Sequence, residues 1–312
     1  MNLLVVIPCL NEEVTIADVI KRVPKKIEGF EKIDILVVDD GSTDNTAIIA
    51  DRSGAKVISH KINKGVGAAF NSGVNFAIKH RYDIMVNMDG DGQFDAQDIV
   101  KIVNPLLSME ADFVSASRFY DASVYPEMSK IKFIGNKLMS QFISRLTKKK
   151  FFDVSCGFRA YTRDTLLKLN LFGKFTYTQE TFINLALKDV AIREVPLKIQ
   201  GTREHGKSRV ASNLFKYAFN TLKIILKTYR DYKPFQLFGW LASILFVCGF
   251  GLGVFLLSFY LRNNVFTPHK WAGFASAFFL ASSSILLFVG FILDMIARLR
   301  KNQETILYLL KK

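Results

Sequence analysis

Apolar runs alternate with helix-like stretches through the first 210 residues of the chain. Short apolar runs, which predict strands, lie at residues 3–7, 33–38, 56–59, 83–88 and 112–117. Apolar residues recur at helical spacing, which predicts helices, at residues 12–23, 44–53, 66–79 and 95–107. Thr43 or Asp44 is expected to cap the second of these helices. The alternation predicts an α/β domain with a mostly parallel sheet and helices on both faces.

Two stretches in the last hundred residues lack any charged side chain. They cover residues 235–261 and 271–293, and each is longer than the ~20 residues that cross a bilayer core. The short link between them predicts a transmembrane hairpin, although two buried core helices of a soluble protein are the alternative. Lysines and arginines are concentrated on the outer flanks of the pair. The positive-inside rule therefore predicts a multi-pass protein of the cell membrane with both termini in the cytoplasm.

The chain divides into four predicted parts. Residues 1–212 form the α/β domain, and residues 213–233 carry apolar residues at helical spacing with lysines between them. The second part is predicted to be an amphipathic helix at the membrane interface; a connecting helix packed on the α/β domain is the alternative. Residues 234–297 contain the hairpin, and residues 298–312 form a basic cytoplasmic tail.

Charge and cysteine content narrow the class of protein. The 312-residue chain has 42 lysines and arginines against 28 aspartates and glutamates, a net charge of +14 and a mean hydropathy of +0.19. These values exclude a disordered chain, a collagen-like fibre and a disulfide-stapled mini-protein. Residues 213–312 hold 12 basic and 3 acidic residues, so the excess charge lies beside the predicted spans. The three cysteines lack metal-ligand spacing and are expected to be reduced thiols, as in a cytosolic domain.

Acidic residues follow a predicted strand at residues 89–93. Asp89 and Asp91 are separated by one glycine, and Gln93 supplies a further oxygen. Such oxygen ligands suit Mg²⁺ or Mn²⁺, although a solvated Asp-Gly turn is the alternative for this segment alone. Polar residues also follow the first two strands, at 8–13 and 39–44. Because ligands of parallel sheets bind beyond the carboxyl ends of the strands, these segments are expected to form one site.

Several motifs occur in order along the chain. They comprise residues 5–13, 37–44, 63–69, 88–93, 117–118, 153–159 and 194–196, then Arg203 and residues 206–209. In these motifs the chain resembles family 2 glycosyltransferases of the GT-A fold, and in particular the polyprenyl-phosphate glycosyltransferases. The resemblance implies a Rossmann-like GT-A domain. It also implies an inverting, metal-dependent transfer of a sugar from a UDP- or GDP-linked donor to undecaprenyl or dolichyl phosphate.

The resemblance further implies roles for individual residues. Donor-binding residues would be Pro8, Asn11, Glu12, Asp39, Asp40, Lys64, Gly65 and Asp89. The metal, Mg²⁺ or Mn²⁺, would be held by Asp89, Asp91 and Gln93. Catalytic residues would be Asp91, Arg118 and Arg203, and the acceptor phosphate would meet Arg118, Lys130, Lys132, Arg203, Ser208 and Arg209. For Asp40, with Ser42 and Asp44, a turn that leads into the next helix is the alternative.

Residues 130–150 contain seven lysines and arginines around apolar residues at helical spacing. This basic amphipathic stretch is predicted to rest on lipid headgroups and to guide a lipid phosphate inward, with a solvated helix face as the alternative. A phosphate monoester has a second pKa of about 6, so it reaches the enzyme mostly as a dianion. Since such an acceptor needs no general base, we expect direct displacement with inversion.

Two rival functions remain open. The first is an enzyme of the same fold that glycosylates a polysaccharide or another hydroxyl acceptor, although the sequence lacks the Gln-x-x-Arg-Trp segment of processive synthases. The second is a non-catalytic membrane module that binds a nucleotide sugar or anionic lipid. The predicted partners are the nucleotide sugar, the polyprenyl phosphate and the lipid bilayer, with no nucleic acid. Glycines in the first span also permit a homo-oligomer.

Overall fold

The computed structural model describes residues 1–171, 177–200, 223, 226–227 and 229–312. The chain divides into two compact units. The first comprises Met1–Ile225 and Leu310–Lys312, and the second comprises Leu226–Leu309. The first unit contains a sheet with its helices, and the second consists mainly of two long helices. All strands of the described residues therefore belong to the first unit.

A seven-stranded sheet forms the centre of the first unit, as far as the chain is described. Its strands are β1 (Asn2–Cys9), β2 (Lys32–Asp39), β3 (Lys56–Ser59), β4 (Ile84–Asn87), β5 (Phe113–Ser117), β6 (Arg159–Thr162) and β7 (Ile192–Pro196). They lie in the order β3-β2-β1-β4-β6-β5-β7. β6 runs antiparallel to both of its neighbours, whereas the other pairs are parallel. The predicted α/β fold with a mostly parallel sheet is confirmed, and β6 and β7 are strands that the apolar pattern did not predict.

Helices connect the strands of the first unit. Within the described residues they are α1 (Ile16–Arg22), α2 (Thr46–Arg52), α3 (Val66–Lys79), α4 (Ile99–Leu107), α5 (Lys130–Thr147), α6 (Arg163–Lys168) and α7 (Thr178–Ala186). Short 3-10 turns at Ala96–Asp98 and Ala122–Val124 lie before α4 and α5. The bounds of α3 are those that the apolar spacing predicts.

α4 begins at Ile99 rather than at residue 95, because a 3-10 turn precedes it. Two further helices, α1 and α2, also begin later than predicted. α1 begins at Ile16 rather than at residue 12, because Asn11 adopts a positive φ of 50° and the chain turns before the helix. α2 begins at Thr46, so Asn45 takes the capping position expected for residue 43 or 44. The Asp44 carboxylate still accepts the backbone N–H of Thr46 at 3.0 Å. Both starts are set by turn geometry, which a pattern of apolar residues does not record.

Apolar side chains cover both faces of the sheet. On β1, Leu3 and Val5 join a core with α1 and α4. Leu4 and Val6 point to the opposite face and join a second core with α3 and α7. Burial on both faces explains why β1 is a continuous apolar run. Gly73 allows α3 to lie close to the sheet, since a Cβ there would be 2.4 Å from Val6 Cγ1.

A fully buried arginine ties β6 to the preceding loop and to α7. Arg159 is 0% exposed. Its guanidinium donates to the carbonyl oxygens of Cys156 at 2.7 Å, Val154 at 3.0 Å and Thr178 at 2.9 Å. These three acceptors satisfy a charge that would otherwise be costly to bury. Arg159 therefore fixes the loop of residues 153–158 against the core of the domain.

We expect Arg159→Met to destabilise the first unit by about 3 kcal/mol, because three carbonyls, two of them buried, lose their donor. Thermal unfolding of the purified full chain, followed by circular dichroism, measures the loss as a fall in Tm. Arg52→Met is the matched control, since Arg52 is exposed on α2. Equal Tm values for the two variants would show that the buried guanidinium contributes no stability.

The second unit contains two long helices, α8 (Pro234–Asn263) and α9 (Lys270–Lys311). Ser276 Oγ donates to the Gly249 carbonyl at 2.7 Å, and Ser283 Oγ donates to the Ala242 carbonyl at 2.9 Å. Because the contact positions advance along α9 as they retreat along α8, the two helices pack antiparallel as a hairpin. Both helices are long and apolar enough to cross a membrane.

Two segments flank the hairpin, one before α8 and one at the C-terminal end of α9. Residues 298–311 of the predicted tail continue α9 without a break. Most of the predicted amphipathic helix at 213–233 lies outside the described residues, and its described end, residues 229–232, is helical. Arg300 Nη1 on α9 lies 3.0 Å from Asp231 Oδ2. This ion pair joins α9 to the segment before α8.

Candidate active site

The carboxyl ends of β1, β2 and β4 meet at one edge of the sheet. β1 pairs in parallel with both other strands, and Cys9 at its end is in register with Asp39 at the end of β2. Burial raises the pKa of the Cys9 thiol well above its ordinary value, and four nearby carboxylates raise it further. These belong to Glu12, Asp89, Asp39 and Asp91. Acidic side chains from three separate loops therefore surround the end of β1.

The turn after β4 holds its two aspartates differently. Asp91 is 3% exposed, and its Oδ1 accepts the Gln93 N–H at 3.1 Å. Asp89 is half-buried beside Gly157, where a Cβ would lie 3.1 Å from Asp89 Oδ2. Gly157 therefore keeps the space next to the Asp89 carboxylate clear. Gln93 Nε2 donates to the Gln200 carbonyl at 2.9 Å, which ties the turn to the chain beyond β7.

The acidic turn fits a divalent cation whose coordination is completed by other ligands. No three His, Cys, Asp or Glu side chains of the described residues form a ready-made metal cage. Asp89 and Asp91 offer two carboxylates instead, the usual protein share of a Mg²⁺ site that keeps waters and substrate phosphates. The side-chain nitrogen of Gln93 bonds to Gln200, so its oxygen is the atom that suits a cation.

Hydrogen bonds join the loop after β1 to the loop after β2. Ser42 Oγ accepts the Asn11 N–H at 2.8 Å, and Asn11 Oδ1 accepts the Thr43 N–H at 2.7 Å. Thr46 Oγ1 accepts the Glu12 N–H at 2.8 Å. The Asn11 side chain, predicted to bind a donor, thus also sets the spacing of these two loops.

Two further predicted donor residues are buried at the same edge. Pro8 lies within β1, in register with Val38. Asp39 is 4% exposed, and its Oδ1 accepts the Ser42 N–H at 3.0 Å and contacts the Ser42 hydroxyl. The buried Asp39 carboxylate therefore stabilises the turn after β2 through its hydrogen bonds to Ser42.

Asp40 holds the loop that leads into α3. Its Oδ1 accepts the Lys64 N–H at 3.0 Å, and its Oδ2 accepts the Gly65 N–H at 2.7 Å. His60 Nδ1 lies 2.6 Å from Asp40 Oδ1, and His60 Nε2 lies 2.9 Å from Ser72 Oγ on α3. Since Asp40 is 4% exposed, it positions this loop from inside. His60, which carries no recognisable motif, belongs to the same network.

Asp40→Asn replaces one acceptor oxygen with an NH2 group, so the side chain cannot accept both N–H groups of the loop. We expect amide hydrogen exchange of residues 62–66 to become about tenfold faster, the effect of losing a hydrogen bond worth ~1.4 kcal/mol. Mass spectrometry of the full chain measures the rates. Asp51→Asn, at an exposed position of α2, is the control. Unchanged rates in residues 62–66 would contradict the role of Asp40.

Gly90 leaves no room for a side chain between the two aspartates of the turn. A Cβ at this position would lie 2.5 Å from Cys9 Sγ. We expect Gly90→Ala to cost roughly 1–3 kcal/mol of stability through overpacking, measured as a fall in Tm. Adding Cys9→Ala, which removes the sulfur, should restore part of that loss. If the double variant loses as much stability as the two single variants lose together, the two sites are not in contact.

A second set of charged groups lies at the end of β5. Arg118 donates to both carboxylate oxygens of the buried Asp153, from Nε at 2.7 Å and from Nη2 at 3.0 Å. Burial raises the pKa of Asp153, but the charge and hydrogen bonds of Arg118 outweigh it and lower this pKa below its ordinary value. Glu194 on β7 accepts the N–H groups of Phe152 at 2.8 Å and Asp153 at 2.7 Å. The guanidinium predicted to grip phosphate is thus held in a fixed orientation.

The other predicted acceptor residues lie on α5 or beyond the described chain. Lys130 is exposed and Lys132 is half-buried in the first turn of α5. Residues outside the described part are Arg203, Ser208 and Arg209. Contact of these five side chains with a phosphate stays a prediction.

Residues 4–169 match the family described as glycosyl transferase family 2. The matched region runs from β1 to α6. It includes the carboxylate cluster formed by Glu12, Asp39, Asp89 and Asp91, together with Arg118 and the loop that holds Gly157. This chain belongs to glycosyl transferase family 2. It is therefore a glycosyltransferase, as the ordered motifs predict.

Relatives extend the likeness beyond the family region. One is the UDP-N-acetylglucosamine–dolichyl-phosphate N-acetylglucosaminyltransferase of Methanococcus voltae, 31% identical over 62% of this chain and 83% of that protein. Another is the dodecaprenyl-phosphate galacturonate synthase of Rhizobium johnstonii, 26% identical over 96% of this chain and 88% of that protein. The names of both relatives include a polyprenyl phosphate, dolichyl phosphate in the first and dodecaprenyl phosphate in the second.

A solved structure shares the fold of this glycosyltransferase. Glucosyl-3-phosphoglycerate synthase from Mycobacterium tuberculosis was crystallised with Mn²⁺, uridine diphosphate and phosphoglyceric acid. Its TM-score is 0.57 at 23% identity, over 73% of this chain and 78% of that one. At this identity the likeness shows the fold, and the predicted GT-A fold is confirmed.

Proposed function

We propose that this glycosyltransferase moves a sugar from a nucleotide-sugar donor to a polyprenyl phosphate at the membrane surface. The observation that carries the proposal is the cluster of four carboxylates at the ends of β1, β2 and β4, in a chain with two helices of membrane-spanning length. The names of the two polyprenyl-phosphate relatives support the acceptor class.

The donor would bind across the carboxylate cluster. Asp89 and Asp91, with the side-chain oxygen of Gln93, would hold Mg²⁺ or Mn²⁺ against the donor diphosphate; when bound, the cation offsets negative charge on the leaving group. The Mn²⁺ and uridine diphosphate of the crystallised fold relative support this choice. Glu12 and Asp39 would accept N–H and O–H groups of the nucleoside. The loop that Asp40 positions through the N–H groups of Lys64 and Gly65 would lie against the donor.

A lipid phosphate explains why the reaction can proceed without a general base. With a second pKa of about 6, the phosphate arrives mostly deprotonated near neutral pH. Its oxygen would attack the anomeric carbon directly, the bond to the nucleoside diphosphate would break, and the configuration would invert. Arg118, oriented by Asp153, would help to place the phosphate, together with Arg203 and Arg209.

The second unit would anchor the enzyme in the bilayer. In the most apolar stretch of each helix, only 6% of α8 and 17% of α9 is buried, whereas core helices of a soluble protein would be covered. Basic residues flank the outer ends of the hairpin, so the positive-inside rule favours cytoplasmic ends. The lipid-linked sugar would then form on the cytoplasmic leaflet.

Asp91→Asn should lower sugar transfer on the order of 100-fold, because one of two anionic metal ligands becomes neutral. The assay follows radiolabelled sugar from UDP- and GDP-linked donors into undecaprenyl phosphate in proteoliposomes, with mass spectrometry of the lipid fraction. Removal of divalent ions by EDTA should cause a comparable loss. Asp95→Asn, which affects an exposed carboxylate bonded to the Gln97 N–H, should leave the rate unchanged.

Two results would contradict different parts of this proposal. Transfer that persists in Asp91→Asn, or without divalent ions, would contradict the role of the acidic pair. Transfer to a polysaccharide or protein hydroxyl but to no polyprenyl phosphate would contradict the acceptor and leave the family membership intact.

A further inference from the structure

An apolar stripe lies on the outer face of α5. Its four side chains are largely exposed: Ile131 at 70%, Ile134 at 55%, Leu138 at 59% and Phe142 at 38%. Because they are spaced three or four residues apart, they lie along one face of the helix. Contiguous exposed apolar surface of this kind marks a site of interaction with a protein or a membrane.

The opposite face of α5 is anchored in the first unit. Ser140, Ile143 and Thr147 are buried, and Ile143 belongs to the core that includes α7. Near the start of the helix, the Phe133 ring packs edge-on against Phe119 with centroids 5.3 Å apart. Packing on this side fixes the rotation of α5, so the stripe is a permanent feature of the surface.

Basic residues surround the stripe. α5 contains four of them and no acidic residue: Lys130, Lys132, Lys137 and Arg145. Lys148–Lys150 follow directly. An apolar helix face flanked by lysines and arginines is typical of helices that lie in the interface of anionic membranes, where each cation near the surface is attracted to acidic lipid. A groove on a partner protein would match the stripe but would leave this uniform charge unexplained.

We propose that α5 docks on an anionic lipid surface. The stripe would enter the boundary between headgroups and acyl chains, while the flanking lysines and arginines meet lipid phosphates. Docking gives the first unit a membrane contact of its own, in addition to α8 and α9. The inference rests on the membrane placement in the proposed function and is independent of which sugar or acceptor is used.

The test uses the full chain in vesicles of phosphatidylcholine and phosphatidylglycerol. Leu138→Cys, in a Cys248→Ala background, carries an environment-sensitive NBD fluorophore; Cys9 and Cys156 are buried and stay unlabelled. We expect a blue shift of the emission and a loss of intensity with lipids brominated near the headgroup end of the acyl chain. The same label at Asp51→Cys on α2, an exposed position, is the control and should show neither effect.

Two further variants separate the lipid from other occupants. Lys137→Gln with Arg145→Gln should weaken quenching of the Leu138→Cys label, and replacing phosphatidylglycerol by phosphatidylcholine should do the same. A label quenched by aqueous iodide and untouched by brominated lipid would overturn the proposal in favour of a solvated face. A blue-shifted label that neither quencher reaches would overturn it in favour of a protein partner or a second copy. Sugar transfer is not the readout, so lipid quenching without transfer would contradict the proposed function and leave docking intact.

Discussion

The meeting of four acidic side chains at the end of β1 is the feature on which the candidate site depends. Their charges add to the effect of burial, which already raises the pKa of the Cys9 thiol well above its ordinary value. The sheet brings them together because adjacent parallel strands end at the same edge. Backbone N–H groups then hold individual acids, as Gln93 does for Asp91. A divalent cation, as in the proposed function, would offset the negative charge that these acids bring to one place.

The position of Asp89 depends on contacts that begin far from it in sequence. Gly157 borders its carboxylate, and the loop that contains Gly157 is fixed by Arg159 from one side and by the pair of Arg118 and Asp153 from the other. Each of these groups is paired or hydrogen-bonded, as buried charges must be. The antiparallel strand β6 therefore has a role at the site, since it carries the arginine that holds this loop in place.

Elements with strong apolar periodicity could be predicted from the sequence, and short strands interrupted by charged residues could not. α3 has an apolar face of regular spacing, and its bounds were predicted correctly. β6 begins with Arg159, and β7 contains Arg193 and Glu194, so neither is an apolar run. The acidic turn at 89–93 was recognisable because its residues are adjacent in the chain. The role of His60 depends on a distance to Asp40 across 20 residues, which no local pattern records.

α9 is much longer than a helix needs to be to cross a bilayer. With 42 residues, it measures about 63 Å at 1.5 Å per residue, roughly twice the ~30 Å hydrocarbon thickness of a bilayer. In the proposed membrane placement, ordinary tilt does not absorb this excess, so part of the helix would extend beyond the hydrocarbon core. In the C-terminal part of α9, Arg300 pairs with Asp231, and Glu304 accepts a hydrogen bond from the Tyr232 hydroxyl at 3.1 Å. These two contacts join the segment before α8 to the C-terminal part of α9, so the two open ends of the hairpin are held beside each other.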